Sequence, residues 1–452
     1  MWGQIVLWCS SVRGISKNQY SLILSADYFF NTLIRCGECL SDLELSSNNK
    51  LLAIDEPVLF SFEELFFSRT DERGIIISGN TVFQKISQYQ WDELLKKPHN
   101  LIRHPDMPKA VFWLLWHTIK KGELIGAYVK NRAKDGRYYW VFAIVTPIDG
   151  GYLSVRLKPS SHILSIVEQE YKGLVDIERK QKLTPEKSGE LLLGRLAELG
   201  FSQYKYFMSA ALAAEITERD KQLAIGVDKA IAHFDNLVTE SKSLLEHAKK
   251  ILSAYEDSKY VPLNLRVQAA QLGDSGGTIG VISSNYNVIS TEINLHLGQF
   301  MEMANKVSDT INEGLFLTCV ARIQKEVVEI FKNETSGGLT DKEKEMLYLQ
   351  QQQSSYQQKA TEGLKEIATQ AEIFQQSCLE MKKLSTSLEV TRIMGKVESA
   401  RLTTSQYSLS SLIDDLEIFQ KSVATSLKEI DNMNKLIQEN IEGLLKEKDN
   451  TA

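Results

Sequence analysis

The chain has 452 residues, 43% of them hydrophobic, and a formal net charge of −6 at pH 7. Its length is enough for about two or three domains, and its negative charge argues against the basic surface that nucleic-acid binding requires. The longest apolar runs fall far short of the ~20 residues that span a bilayer, and the N-terminus lacks the charged segment of a secretory signal. We therefore expect a cytoplasmic protein with no membrane span and no nucleic-acid partner.

The positions of proline and cysteine narrow the fold class further. All eight prolines lie at or before Pro262, and because proline is excluded from helix interiors, the chain beyond it is free to form long helices. The five cysteines are an odd number, and Cys36-Gly-Glu-Cys39 has the spacing of a metal or redox pair. No second pair or nearby histidine completes four ligands, so we interpret these two as ordinary reduced cysteines.

The first 160 residues divide into an extension and a small mixed domain. Residues 1–55 show no sustained hydrophobic period, so we expect an N-terminal extension of unknown role there. In residues 56–160, two strand-like segments flank a turn at Glu72-Arg73-Gly74, short helices follow, and three further strands come later. Asp135-Gly136 predicts a hairpin turn, because glycine accepts the positive φ that such turns need. The pattern predicts an α+β domain of five strands.

Helical patterns fill the rest of the chain. Residues 161–204 are typical of a polar helical connector, with breaks at Pro185 and Gly200. Further on, apolar residues recur at steps of three and four, which is typical of the a/d seam of a coiled coil. These residues are Leu364, Ile367, Ala371, Phe374, Cys378, Met381, Leu409, Leu412, Leu416, Phe419, Val423, Ile430, Met433 and Ile437. The glutamine-rich run at 349–359, which precedes these residues, lacks glycine and proline, which favours a solvated helix.

One long stretch resembles a known sensory domain. The runs "PHNLIRHPDMPKAVFWLLWHTIKKGE" at 98–123 and "VKNRAKDGRYYWVFAIVTPI" at 129–148 are similar to the PAS domain of aerotaxis receptors, and the similarity extends over roughly residues 60–175. The resemblance implies a PAS domain at 56–160 that binds FAD without a covalent bond. Leu124-Ile125 stand where the family has Pro-Trp.

The resemblance also indicates which residues would contact the cofactor. These are Arg103, His104, Asp106, Trp116 and Asn131. Arg103 and His104 suit phosphate or ring acceptors, Asp106 suits the ribose or the loop itself, and Trp116 suits stacking on a flat ring. The amide of Asn131 suits the donor and acceptor edge of a flavin.

A second stretch resembles the hairpin tip of bacterial chemoreceptors, the methyl-accepting chemotaxis proteins. It is "LNLRVQAAQLGDSGGTIGVISSNYNVIS" at 263–290, in which Gly273 and Gly276 let one helix end and another begin. Ile279 replaces an apical Phe, and Asn285 and Asn287 stand where the family carries Glu and Arg. The resemblance implies that these five residues form a tip that contacts neighbouring receptors, the chemotaxis kinase and its coupling protein. The lost charges would alter partner choice.

The helical half is expected to contain two hairpins. The first would span 205–335 with its tip near 273–278, and the second hairpin, or a coiled-coil segment, would span 336–450. "GKVESARL" at 395–402 aligns with "LRVQAAQL" at 265–272, which hints at a second, fainter tip. The two hairpins would form an intramolecular four-helix bundle, and a homodimer is the alternative.

The sequence thus predicts an α+β PAS domain followed by a long all-α antiparallel coiled-coil or helical-hairpin bundle. We interpret it as a signal transducer that senses redox state or oxygen through PAS-bound FAD and relays it to the chemotaxis machinery. No nucleotide-binding glycine loop or catalytic triad is present, so we expect no enzyme. The alternative is a divergent regulator or scaffold with a partner outside chemotaxis and no cofactor. Haem, ligated by His99 or His104, is a weaker option than FAD.

Overall fold

The computed structural model describes residues 53–334, 341–401 and 406–449. The expected N-terminal extension, apart from its last three residues, lies outside the described residues, as do Cys9, Cys36 and Cys39. The described chain begins with a sheet domain, residues 53–160, and continues through three connector helices into a bundle of long helices.

The sheet domain is built on one six-stranded sheet. Its strands are β1 (Ile54–Pro57), β2 (Phe66–Thr70), β3 (Ile76–Gly79), β4 (Ile125–Arg132), β5 (Arg137–Ile148) and β6 (Gly151–Leu157). β2 pairs antiparallel with β3 and β6, β5 pairs antiparallel with β6 and β4, and β1 runs parallel to β5. The five expected strands are confirmed. The sequence does not predict β1, because its residues Ile-Asp-Glu-Pro are all exposed and show no alternation.

Two glycines turn the hairpins of this sheet. Gly74 has φ 79° and Gly136 has φ 97°, which is the left-handed region that favours glycine. The Gly136 amide donates to the carbonyl of Ala133 at 3.0 Å and closes the β4–β5 turn. Both turns stand where the sequence predicts them.

Short helices pack against the sheet. They are α1 (Thr81–Ser87), α2 (Trp91–Leu94) and α3 (Lys109–Ile119), with a 3₁₀ turn at His99–Ile102. Asn80 caps α1 by accepting a hydrogen bond from the Phe83 amide. Pro98 precedes the 3₁₀ turn and Pro108 precedes α3, and their fixed φ angles set the direction in which this segment crosses the sheet.

Three connector helices follow the sheet. They are α4 (His162–Gln181), α5 (Pro185–Glu198) and α6 (Tyr204–Gln222). Thr184 caps α5, Pro185 opens its first turn, and Gly200 has φ 93°, so both predicted breaks are confirmed. A Cβ on Gly189 would lie 2.3 Å from the ring of Trp113, which shows how closely α5 packs on α3.

Glu215 holds α6 on the sheet domain. Its buried carboxylate accepts hydrogen bonds from the Tyr128 hydroxyl at 2.6 Å and the Ser161 hydroxyl at 2.6 Å. It also accepts from the amides of Ser160 at 2.6 Å and Ser161 at 2.9 Å. α6 also contacts the bundle, since the Ser209 hydroxyl donates to the Asn312 carbonyl at 2.8 Å, and the next helix begins at Lys229.

The bundle has four legs from one chain. The helices are α7 (Lys229–Ser258), α8 (Val261–Gln271), α9 (Gly277–Asn333), α10 (Lys342–Arg401) and α11 (Gln406–Asp449). α7 and α8 together form one leg, and α9 and α11 each pack against α7 and α10. The 60 residues of α10 run for ~90 Å at 1.5 Å per residue. None of the helices in the described ranges is both long and apolar enough to cross a membrane.

The predicted a/d seam forms the bundle core. The six seam residues on α10 are all buried. Most of the seam residues on α11 are also buried, namely Leu416, Phe419, Val423, Ile430 and Ile437. Leu412 and Met433 are partly buried, and Ile413 is buried next to Leu412. The side chain of Leu409 is outside the described residues. The glutamine-rich run is part of α10 and buries Leu349 and Tyr356, so it is a helix, as expected.

The tip between α8 and α9 is a 3₁₀ turn at Gly273–Gly276. Gly273 has φ 57°, in the left-handed region. Gly276 is buried against the preceding helix. The expected second tip near 395–402 ends at residues 402–405, which lie outside the described residues.

Candidate functional site

A cavity of ≈ 200 Å³ lies between α3 and the sheet. Its walls come from α3, the turn at Gly74, the 3₁₀ turn, and strands β2, β4, β5 and β6. The lining is mainly apolar, with a few polar groups, as is usual for small-molecule sites.

The wall that α3 supplies is aromatic. Phe112, Leu115 and Trp116 line the cavity, because residues three and four apart share one face of a helix. Trp116 meets Tyr152 of β6 edge to face, with ring centroids 5.5 Å apart. A Cβ on Gly74 would lie 3.2 Å from the Trp116 ring, so glycine lets the turn approach the indole closely.

The opposite wall is polar. His99 Nε2 lies 2.8 Å from Arg156 Nη2 and 3.3 Å from Ser68 Oγ. Because a guanidinium only donates, this nitrogen accepts the bond from Arg156 and is not free to ligate haem iron. Ser154 Oγ is buried and has no hydrogen-bond partner among the described residues, and the buried Asn131 lines the same cavity.

The charges at the cavity are positive. Burial lowers the pKa of Arg103 and of Arg156 to about 10, so both remain protonated at neutral pH. Burial, reinforced by Arg156 and Arg103, lowers the pKa of His99 well below its ordinary value, so this ring is neutral. None of the described residues that line the cavity is acidic. The cavity therefore favours electron-rich acceptor groups.

Three of the five residues that the sequence suggested for the cofactor line this cavity, namely Arg103, Trp116 and Asn131. Arg103 and Asn131 also form an isolated β-bridge, which joins the crossing segment to β4. The Arg103 guanidinium lies 3.5 Å above the ring of Phe112. Arg103 thus contacts both the aromatic wall, at Phe112, and the strand that carries Asn131.

His104 and Asp106 are not among the described residues that line the cavity, so the structure places them apart from the other three. The His104 ring faces Tyr138, and its Nδ1 accepts a hydrogen bond from the Asp106 amide at 3.2 Å. The Asp106 carboxylate is exposed and lies 3.3 Å from Arg179. Successive residues of an extended segment point to opposite sides, so His104 points away from the cavity that its predecessor enters.

Sequence reasoning missed Arg156 and Ser154 as site residues and considered His99 only as a haem ligand. A signal for the first two exists in "SVRL", since alternate residues of a strand share a face and Ser154 and Arg156 alternate with Val155 and Leu157. Because β6 pairs with β2 on one side and β5 on the other, it is a central strand. Ser154 and Arg156 therefore lie in the middle of the sheet.

The residues present fit a flat ring with a polar edge. Phe112 and Trp116 offer an aromatic wall, and Asn131, Arg156 and the unpartnered Ser154 hydroxyl lie on the sheet side. A flavin has such a ring, and its acceptor edge matches these donors.

The distal tip places its expected contact residues in two environments. Asn285 and Asn287 are exposed. Ile279 is only 1% exposed and belongs to the bundle core, because its position on α9 faces the other legs. The Ile279 side chain therefore packs inside the bundle and is not exposed at the surface of the tip. Gly273 and Gly276 shape the turn itself.

Large apolar side chains are exposed near this tip. We call them the distal surface: Leu263, Val267, Val281, Val288, Leu295, Val390, Ile393, Met394 and Val397. Val281, Val288 and Leu295 are spaced seven residues apart and form one stripe along α9. An exposed apolar stripe along one helix is a candidate protein contact site.

Comparison with known proteins identifies the sheet domain. Residues 76–155 match the family described as PAS fold. The chain is 44% identical over 112 residues to the aerotaxis receptor of Escherichia coli (strain K12), a match that covers 24% of this chain and 22% of the receptor. It is 31% identical over 104 residues to the biofilm dispersion protein BdlA of Pseudomonas aeruginosa, covering 22% of this chain and 25% of that protein. The chain thus spans a quarter or less of the length of these relatives.

Two solved structures are also similar. One is the PAS domain of a protein from Colwellia psychrerythraea, 19% identical, with a TM-score of 0.18, covering 21% of this chain and 85% of that chain. The other is the light-state structure of the blue-light photoreceptor Aureochrome1 LOV, 23% identical, with a TM-score of 0.21. This match covers 23% of this chain and 88% of that chain. From the family match and the observed sheet, residues 76–155 form a PAS domain, similar in sequence to the aerotaxis receptor, and a long helical bundle follows it in the same chain.

Proposed function

We propose that this protein is a signal transducer that senses redox state or oxygen through FAD bound in the PAS cavity and relays the signal through its bundle to the chemotaxis machinery. One observation carries the proposal. A cavity with Trp116, Arg103 and Asn131 in its walls lies in a domain that shares 44% identity over 112 residues with the aerotaxis receptor. Because the named relatives are a receptor and a dispersion protein, we propose no enzymatic activity.

The lining residues have separate roles in this proposal. Phe112 and Trp116 hold one face of the ring and exclude water, and Asn131 supplies a donor and an acceptor at its polar edge. Arg156, held by His99, keeps a positive charge at the sheet side of the cavity. In a site that excludes water, this charge interacts more strongly with an electron-rich acceptor than it would in bulk solvent. A bound flavin would supply reversible electron uptake at this position.

The output is proposed to be a protein contact at the distal surface. Its apolar side chains are exposed beside Asn285 and Asn287, at the end of the bundle that resembles a chemoreceptor tip. The chemotaxis kinase, its coupling protein and other receptors are the proposed partners.

The absorption spectrum of the purified full-length protein tests the sensing half of the proposal. We expect the visible bands of oxidised flavin, their loss on chemical reduction and their return in air. A protein that stays colourless after incubation with FAD would refute flavin sensing. Absorption bands of haem would identify haem, and not FAD, as the cofactor.

A second candidate function is a regulator whose partner lies outside the chemotaxis machinery. The observation in its favour is that Asn285 and Asn287, both exposed, replace the charged residues of the resembling family. Binding of the purified kinase and coupling protein to the full chain separates the two candidates. Retention supports the chemotaxis output, and no retention supports the regulator.

A further inference from the structure

The PAS sheet has one face toward the cavity and one toward the bundle. On β2, Ser68 and Thr70 line the cavity. Phe67 and Arg69 alternate with them and point the other way, because successive residues of a strand face opposite sides. A single strand therefore contacts both the sensing site and the helices.

The bundle side of β2 is firmly packed. Phe67 meets Phe331 of α9 edge to face, with centroids 4.9 Å apart. Arg69 Nε lies 2.9 Å from Glu345 Oε2, and Arg69 Nη2 lies 2.5 Å from Oε1. The Arg69 and Glu345 side chains are only 10% and 3% exposed. A bidentate arginine–carboxylate pair of this kind fixes the relative orientation of the two side chains as well as their distance.

β5 repeats the same arrangement. Ala143 and Val145 line the cavity, while Thr146 Oγ1, on the other side, hydrogen-bonds the Tyr356 hydroxyl at 3.0 Å. Glu345 and Tyr356 both belong to the first quarter of α10. Two strands of the cavity wall thus hold the same end of the same helix.

The helical connection along the chain from the PAS domain to the bundle is interrupted by a loop. α6 ends at Gln222 and α7 begins at Lys229, and the intervening loop exposes Ile225 and Val227. A rotation of one helix passes to the next through continuous helix, and this loop breaks that continuity. α6 is also clamped to α9, since Arg322 pairs with Asp220 at 2.5 Å.

We propose that the Arg69–Glu345 pair is the joint through which the PAS cavity controls α10, so that a change in the cavity moves β2 and the ion pair carries the movement to the start of that helix. The identity of the natural cavity ligand rests on the proposed function. The joint itself does not, because any change on the cavity face of β2 and β5 reaches α10 by the same contacts.

The experiment measures hydrogen exchange in residues 342–360 of the full-length protein while the cavity is altered in two ways. One is FAD in its oxidised and chemically reduced forms. The other is Ala143→Leu, which places a larger side chain in the cavity wall. We expect each alteration to change exchange in this segment by about threefold or more in the parent protein, and to change it no longer when Glu345→Gln is added.

Asp220→Asn is the matched control, because it removes the carboxylate that α6 offers to Arg322 of α9 and leaves the joint intact. We expect the response to survive it. A response that is lost with Asp220→Asn but kept with Glu345→Gln would overturn the proposal in favour of the connector.

A third variant guards against simple unfolding. Arg69→Met with Glu345→Met replaces the pair by apolar groups that keep the domain docked but removes the directed hydrogen bonds. We expect a parental thermal midpoint with a reduced response, and a full response in this variant refutes the joint. If the parent binds no FAD, the proposed function fails while the Ala143→Leu comparison still decides the joint.

Discussion

A Cβ atom on Gly276 would lie 2.0 Å from the carbonyl oxygen of Ala269. The distal turn therefore packs its backbone directly on the backbone of α8. The glycine is needed for space and not for its φ angle, which at −87° is open to any residue.

Gly276→Ala is accordingly expected to destabilise the tip by about 1–3 kcal/mol, because the new methyl group meets backbone that cannot rotate away. Gly277→Ala is the control, since a Cβ there meets nothing within 4 Å, and helical alanine should be neutral or stabilising by about 0.5–1 kcal/mol. Urea unfolding followed by far-UV circular dichroism measures both. Equal midpoints for the two variants would contradict the packing argument.

Asn131→Ala is expected to weaken FAD binding about tenfold, which corresponds to the loss of one hydrogen bond of about 1.4 kcal/mol. Asp106→Asn should leave the affinity unchanged, because that side chain is exposed outside the cavity. Titration of flavin fluorescence with the full-length variants provides the measurement. If Asp106→Asn were the more damaging change, the crossing loop and not the cavity wall would hold the ligand.

His104 makes stability depend on pH. Burial lowers its pKa to about 4, helped by Lys130 and Arg132 and opposed by Asp106 and Asp55. Below its ordinary pKa of 6.5 the unfolded chain takes up a proton that the folded protein refuses until about pH 4. The free energy of unfolding is therefore fully present above this window and falls by roughly 3 kcal/mol as the pH drops through it.

His104→Asn should flatten that slope, because the amide oxygen can still accept the hydrogen bond from the Asp106 backbone but does not titrate. His162→Asn is the control, since this histidine is exposed at the start of α4. Urea midpoints measured from pH 7 to pH 4 would show the difference. An unchanged slope in His104→Asn would mean that other groups set the acid sensitivity.

Asn285→Glu combined with Asn287→Arg is expected to increase retention of the purified chemotaxis kinase and coupling protein, since charge-assisted bonds set partner choice at such surfaces. Both positions are exposed, so stability should stay within about 0.5 kcal/mol. The swapped pair, Asn285→Arg with Asn287→Glu, has the same composition and should not gain binding. Equal gains from the two pairs would indicate non-specific attraction.

The parts of the fold with strong periodicity could be predicted from the sequence. Steps of three and four identify the buried seam of α10 from Leu364 to Met381, and Asp135-Gly136 identifies a hairpin turn. β1 has no such pattern, because a short parallel strand with four exposed residues leaves no apolar alternation. The helical period of α6 does not show that Glu215 joins this helix to the PAS sheet, because that contact depends on the tertiary fold.

Only part of the candidate site could be predicted from the sequence, because the type of a residue does not determine which way its side chain points. The resemblance placed Arg103 and His104 together, but the extended segment turns one inward and the other outward. Ile279 occupies an apical position in the sequence, yet the bundle buries it. Arg156 lies in another strand, and its contact with His99 appears only after β6 pairs between β2 and β5.

The sheet that separates the cavity from the bundle is a single layer, and this limits how such proteins can be rebuilt. A substitution on the cavity face of β2 that suits a new ligand would shift Phe67 and Arg69, which contact α9 and α10. Residues on the two faces of this strand therefore have to be changed together. Grafting a different PAS domain onto this bundle would therefore require transplanting the matching patches of α9 and α10 around Phe331 and Glu345. Modular exchange at a linker alone would leave the new sensor undocked.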